Sequence, residues 1–297
     1  MTAFLEEVAK TKLVATDGSV DEAVYQQILG MRELRDIFVD YLGTKLTYSS
    51  DAASEGDGLF SLLEGLLNLF QPINGSQLPS ESQDGFRFLA RELILCFVAC
   101  ALRLSRDGIL CRLFDEQFVL DSRGDGPKLR MFVAFDGERR SIDVARNARL
   151  KLNRSSLTAD LIKERVAQRT PSFNDLMEAD LLLSLRSGLH FSNYRSVWRP
   201  VTLVFAESDS APFRLFLKGW GPRVAGRLLN ILGCASPEEF LSLFEEWRNR
   251  SNGFQHFVPG DGWGVDVGRW VAVGQVQALV GRGIKAAVTQ TGATGQP

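Results

Sequence analysis

Apolar positions recur every three to four residues through the first 120 residues of this chain, and the pattern predicts helices. In EAVYQQILGMRELRDIFVDYL, the residues Val24, Ile28, Met31, Leu34, Ile37, Phe38 and Leu42 fall on one face of a single long helix. A polar stretch over 47–58 separates it from LFSLLEGLLNLF, which is almost wholly apolar and stopped by Pro72. After a second polar stretch over 74–85, the run FRFLARELILCFVACALRLSR reads as a long buried helix, the centre of a helical bundle. ILCRLFDEQFVL follows as a shorter apolar segment.

Beyond SRGDGP (122–127) the period changes, and this segment is read as a boundary. KLRMFVAF, ARLKLN, RPVTLVFA and PFRLFLK alternate as strands do, and GWGVDVGRWVAVGQVQALV suggests one or two more. Helix starts are marked by Ser155 or Ser156 before LTADLIKERVAQR and by Ser172 with Asp175. The clearest start is Ser236-Pro237-Glu238-Glu239, with serine at the cap, proline at the first helical position and glutamate at the third. The expected fold is therefore α+β: a helical domain over 1–121, a mixed α/β domain with a small sheet over 128–285, and a polar tail over 286–297. No internal repeat is evident.

Composition changes this picture little. With 297 residues, 45% hydrophobic and 24% charged, the chain is of ordinary globular make-up. Its formal net charge of −2 supplies no general attraction to nucleic acid or anionic membrane. No apolar run reaches the ~18–20 residues of a membrane span. The acidic N-terminus lacks the layout of a signal peptide. Four cysteines are too few for a disulfide scaffold, and Cys96 and Cys100 read as small core residues. A cytoplasmic setting is expected.

Charge is unevenly spread. Acidic residues dominate the first hundred positions, whereas Arg139 to Arg169 is basic. In that basic segment, Arg146, Arg149, Lys151, Arg154, Lys163 and Arg165 are candidates for contacting nucleic-acid phosphates. Alternatively they complement the acidic part of the same chain or of a partner. The segment from Ser141 to Thr170 contains no Trp or Tyr and no Phe to stack on bases.

A second candidate is the glycine corner GWGPRVAGRLLNILG. Lys218, Gly219, Gly221 and Arg223 surround an expected strand-to-helix turn, where backbone amides, a helix dipole and two cations could hold a phosphate. It matches neither a P-loop nor a dinucleotide fingerprint, and the competing reading is a tight turn with Gly226 allowing close packing. Asp180, Glu207 and Lys218 are the trio that a metal-dependent nuclease could use, but no Glu-x-Lys or Asp-x-Lys pair accompanies them. Two histidines cannot furnish a histidine-rich metal centre, and no cofactor motif, zincin, paired C-x-x-C or G-x-S-x-G is present, so no metal or cofactor is expected. All five tryptophans lie in the last third, as core aromatics or as a contact surface.

Two resemblances bear on function. RNRSNGFQH, with Arg250 and His256, resembles the Arg-x4–6-His signature of HEPN-family ribonucleases. That resemblance implies metal-independent RNA cleavage by an all-helical dimer, with histidine and arginine in acid–base and phosphate-stabilising roles. The stretch from ARLKLN through MEADLLLSLRS to RPVTLVF and PFRLFLKG is similar to uncharacterised proteins of bacterial anti-phage gene clusters. It implies a defence setting and supplies no catalytic residue. The leading expectation is a non-catalytic binding or scaffold component of a bacterial multiprotein assembly. The alternatives are a nucleic-acid-binding effector or HEPN-like ribonuclease, and a nucleotide or phosphate sensor. Other protein subunits are the expected partners, with nucleic acid next and no membrane.

Overall fold

A computed structural model describes residues 2–11, 13, 19–48, 56–69, 80–120, 126–166, 170–193, 197–206, 213–250 and 267–282. The chain divides into two compact units. The first holds residues 1–184 and 198–206; the second holds 185–197, 207–256 and 261–297. Each is taken by itself below.

The first unit begins with α1 (Thr2–Lys10), α2 (Val20–Gly30), α3 (Arg32–Tyr48), α4 (Asp57–Leu69), α5 (Asp84–Arg103) and α6 (Asp107–Asp115). Every residue of α5 from Phe88 to Ala101 is buried, the charged pair Arg91 and Glu92 among otherwise apolar side chains, as the central helix the sequence indicates. It packs against α2, α3, α4 and α6. Phe60 of α4 meets Phe97 edge-on at 6.0 Å. The expected single helix over 22–42 is in fact two. Met31 lies between α2 and α3, and the buried positions Val24, Ile28, Met31, Arg35, Phe38 and Leu42 keep a spacing of three and four across it. Val24, Ile28, Met31, Phe38 and Leu42 are buried, while Ile37 is turned out to solvent.

The strands β1 (Phe118–Leu120) and β2 (Lys128–Arg130) pair antiparallel, with Phe118 opposite Arg130 and Leu120 opposite Lys128. The hairpin is tied to α4: Val119 N donates to Glu64 at 2.7 Å and Asn68 Nδ2 donates to Val119 O at 3.1 Å, which covers its open edge. The expected domain boundary therefore falls between two paired strands of one unit; residues 122–125 themselves lie outside the described residues. Next come a 3₁₀ turn at Phe132–Phe135, a π-helical segment at Ser141–Arg146, and α7 (Asn147–Arg149), α8 (Leu157–Arg165) and α9 (Phe173–His190). α9 runs through the division, with 173–184 in the first unit and 185–190 in the second. Ser156 caps α8, accepting from Ala159 N at 3.2 Å. Ser172 and Asp175 form a reciprocal cap: Ser172 N donates to Asp175 at 2.8 Å, and Asp175 N donates to Ser172 Oγ at 3.2 Å.

The second unit adds α10 (Arg214–Gly219), α11 (Ala225–Leu232), α12 (Pro237–Arg250), α13 (Val267–Trp270) and α14 (Val273–Gly281). Ser236 caps α12 as expected: Glu239 N donates to its Oγ at 3.2 Å, and the Glu239 carboxylate accepts from Ala235 N. Gly233 closes α11 with a left-handed φ of 70°. Trp220, Phe240, Phe244 and Trp247 stack in a row, with neighbouring ring centroids 4.9 to 5.9 Å apart. A Cβ placed on Gly188 would come within 2.6 Å of Trp247 Cδ2 and Nε1. Gly188→Ala is thus expected to cost about 1–3 kcal/mol through overpacking, measured by urea denaturation followed by tryptophan fluorescence. A cost near zero would mean that the indole moves aside freely.

The architecture is mostly helical with one small two-stranded antiparallel sheet, so the expected α+β class holds in outline while its balance shifts towards helix. The strand expectations account for the shift. RPVTLVFA folds as a 3₁₀ turn (Thr202–Phe205), PFRLFLK as α10, and ARLKLN ends α7 and turns out of it. KLRMFVAF is a strand for only three residues, and 267–280 is helical; 262–266 lie outside the described residues. In PFRLFLKGW the deciding positions are Phe213, Phe216 and Trp220, spaced by three and four. Phe213 N donates to Trp270 O at 3.0 Å and Trp220 Nε1 donates to Val271 O at 2.7 Å, which fixes the helical register.

Candidate functional site

The strongest acids and bases of the first unit are gathered in two buried networks, one on either side of α5. On one side the fully buried Arg91 uses both guanidinium nitrogens. Its Nη1 bonds Asp136; its Nη2 reaches Asp180 at 2.9 Å and also donates to Arg199 O. The plane lies 4.4 Å from the Trp198 ring centroid. Asp180 is saturated further by Trp198 Nε1 at 2.6 Å, Thr202 N at 2.8 Å and Thr202 Oγ1 at 2.7 Å. Asp136 also accepts from Arg199 N at 2.8 Å and Nε at 3.1 Å. Burial, then the charge of Arg91, pulls the Arg139 guanidinium down to about 10. On the other side, Glu92 receives Arg165 Nε at 2.9 Å and lies 3.7 Å from Arg35, and Arg165 also donates to Ile28 O at 2.6 Å.

Asp180 therefore has no free oxygen for a metal. Its occupation disposes of the one-metal trio at its first member, and Glu207 lies outside the described residues. Among the described residues, no group of three or more His, Cys, Asp and Glu could hold a metal ion. Burial pushes the Cys96 thiol well up, Cys100 to about 11 and Cys234 to about 12, so none of these is a ready nucleophile.

The six candidate nucleic-acid contacts do not form a free stripe, and the physical reason is intramolecular neutralisation. Arg146 pairs with Glu22 and lies over the Tyr25 ring at 3.7 Å; Arg149 pairs with Asp21 at 2.8 Å and Glu22 at 3.0 Å. Burial alone would raise the Asp21 carboxyl, but hydrogen bonds from Arg149 and Ser19 hold it below its ordinary value. Arg154 pairs with Asp160 at 2.7 Å, Arg165 is buried on Glu92, and Lys163 sits 3.9 Å over Phe205. Among the described residues, Lys151 alone of the six has neither carboxylate nor ring beside it; it is exposed in a turn with φ 51°. The basic segment thus complements the acidic N-terminal helices of its own chain.

The glycine corner is a helix-to-helix corner, not the expected strand-to-helix turn. The amides of Val224 and Ala225 are both spent on Gly221 O at 2.9 Å, and Arg227 N donates to Val224 O at 3.0 Å. A Cβ on Gly219 would lie 2.6 Å from Leu228 Cδ2, so this glycine serves close packing of α10 and α11. Gly219 and Gly221 build the turn. Lys218 and Arg223 stand exposed around it without a phosphate cradle of free amides between them. For the HEPN-like pair, Arg250 Nη2 donates to Gly188 O at 3.2 Å, and His256 lies outside the described residues. The other histidine, His190, shares Leu232 O with Arg186, each at 2.7 Å, at the C-terminal end of α11.

A polar hollow of about 310 Å³ is lined by Glu81, Asp84, Arg87, Gly137, Glu138 and Arg140. Its charges are matched internally, Asp84 with Arg87 at 2.7 Å and Glu138 with Arg140 at 2.8 Å.

One feature escaped the sequence reading. On the face of α3 opposite to buried Arg35, Phe38, Val39, Leu42 and Leu46, the side chains of Ile37 (52% exposed), Tyr41 (41%) and Tyr48 (85%) stand in solvent. With half-buried Leu34 and exposed Thr44 they fall at spacings of three and four, the seam of a helix that expects another helix. The spacing is visible in the sequence, but the expected buried face is wide enough to include Ile37, which lies about 100° round the helix from buried Phe38. No described helix is long and apolar enough to cross a membrane. No family model matches the chain, and no curated protein or solved structure is significantly similar to it.

Proposed function

We propose that this chain is a non-catalytic binding or scaffold component of a bacterial multiprotein assembly, with phage defence as its setting. The observation that carries the reading is the apolar row Ile37, Tyr41 and Tyr48 on α3. Large side chains left in solvent at helical spacing, on a helix whose other face is anchored in a core, are suited to receiving a partner helix. Tyrosine favours such surfaces because its ring buries area while its hydroxyl keeps a polar contact. Glu33 and Asp40, both exposed and seven residues apart, edge the row with negative charge. The complementary helix accordingly carries lysine or arginine along one border. The internal pairing of the strong acids and bases supports the same reading, since those groups are committed to holding helices together. The resemblance to proteins of anti-phage gene clusters supplies the setting.

Co-purification from the native host tests the proposal. The unaltered chain is expected to retain a partner in fixed stoichiometry, and Ile37→Asp with Tyr48→Ser is expected to weaken that retention at least about tenfold, ~1.4 kcal/mol, without changing helix content or melting temperature. A lone monomer that retains nothing, or a variant that keeps the partner, would overturn it.

A further inference from the structure

We infer that the exposed face of α10 and the α10–α11 corner docks an acidic, amphipathic helical segment of a protein partner. Arg214 and Lys218 are four apart and so project from the same side of α10, and Arg223 follows just beyond the corner. All three are exposed, and among the described residues no carboxylate pairs with any of them. That sets them apart from Arg91, Arg146, Arg149 and Arg165 of the first unit, each matched to aspartate or glutamate. The described residues of the second unit hold nine arginines and lysines against four glutamates and no aspartate. Next to these cations in the chain, Leu217 (45% exposed) and Val224 (46%) also stand in solvent, one on each side of the corner. Exposed cations beside exposed apolar side chains call for a ligand with the complementary pair, carboxylates beside methyl groups.

The same cations could draw nucleic acid, and two observations favour protein. A phosphate backbone would leave the methyls of Leu217 and Val224 uncovered. The aromatics that could stack on bases are turned inward, with Phe216 fully buried and Trp220 2% exposed. The corner is also firmly set: Gly219 lets Leu228 seat against it, and Trp220 anchors it through Val271 O. Little ordering is left to the docking step, which favours affinity. This inference concerns a different surface from α3 and survives the failure of the co-purification test.

Fluorescence anisotropy on the full chain decides it. The probes are a labelled acidic amphipathic peptide of about 20 residues built from Glu and Leu in heptads, the same composition scrambled, and RNA and duplex DNA of similar length. The amphipathic peptide is expected to bind at least about tenfold more tightly than the scrambled one or either nucleic acid, and more weakly as salt rises. Lys218→Glu with Arg223→Glu is expected to weaken it at least about tenfold, and Leu217→Ser with Val224→Ser about fivefold or more. Circular dichroism checks that the variants fold, and Lys218→Gln with Arg223→Gln replaces the reversal if it does not. No preference for the amphipathic peptide, tighter binding of RNA or DNA, or indifference to the charge variants would each overturn the inference.

Discussion

Glu92→Gln is expected to destabilise the first unit by about 3–5 kcal/mol, because it leaves two buried guanidiniums facing a neutral amide. Arg35 and Arg165 are both buried beside this carboxylate; Arg35 also pairs with Asp36 at 3.0 Å and donates to Arg165 O, whereas the other bond of Arg165 goes to the carbonyl of Ile28, so Arg165 is the guanidinium most affected by the change. Carbonyl dipoles do not cancel a net charge in a medium of low polarity. The loss is a large share of the ~5–15 kcal/mol by which a domain of this kind is stable. Urea denaturation followed by far-ultraviolet circular dichroism measures it. The control is the quadruple replacement Arg35→Met, Asp36→Asn, Glu92→Leu and Arg165→Met, which removes the cluster's charges together and is expected to cost far less than the single change. A Glu92→Gln cost below about 1 kcal/mol would mean that water reaches the site.

Arg91→Met is the second large effect, again about 3–5 kcal/mol, with the opposite charge stranded. Asp136 and Asp180 would keep their bonds from Arg199, Trp198 and Thr202 but lose the cation that lies between them. Arg91→Lys is informative here, since an ammonium retains the charge but cannot span Asp136, Asp180 and Arg199 O at once or lie flat on Trp198. It is expected to recover only part of the loss in the same denaturation experiment. Full recovery would show that charge alone, without the forked geometry, holds the site.

What the sequence made legible was local. The long buried run of α5, the Ser236 and Ser172 caps and the Ser156 cap each rest on local sequence, and all are present. The misread strands rest on short alternations such as RLFLK, which the aromatic spacing of Phe213, Phe216 and Trp220 overrules once Trp270 and Val271 are in place. The basic segment looked free because its partners are remote in sequence: Asp21 and Glu22 lie more than 120 positions before Arg149 and Arg146. Long-range pairing leaves no periodic trace, so a cation committed to a core and one kept for a ligand look alike until the chain is folded.

The wiring of α5 also has a consequence for the order in which the protein is made. Arg91 emerges from the ribosome early, but its partners Asp136, Asp180 and Arg199 are synthesised 45, 89 and 108 residues later. Glu92 meets the earlier-made Arg35 but waits 73 residues for Arg165. The nascent helices can collapse in the meantime, but they do so with unmatched charges at their centre, which disfavours premature consolidation. A fragment ending near residue 121 would be held permanently at that stage, its central helix made and the carboxylates that match Arg91 never supplied.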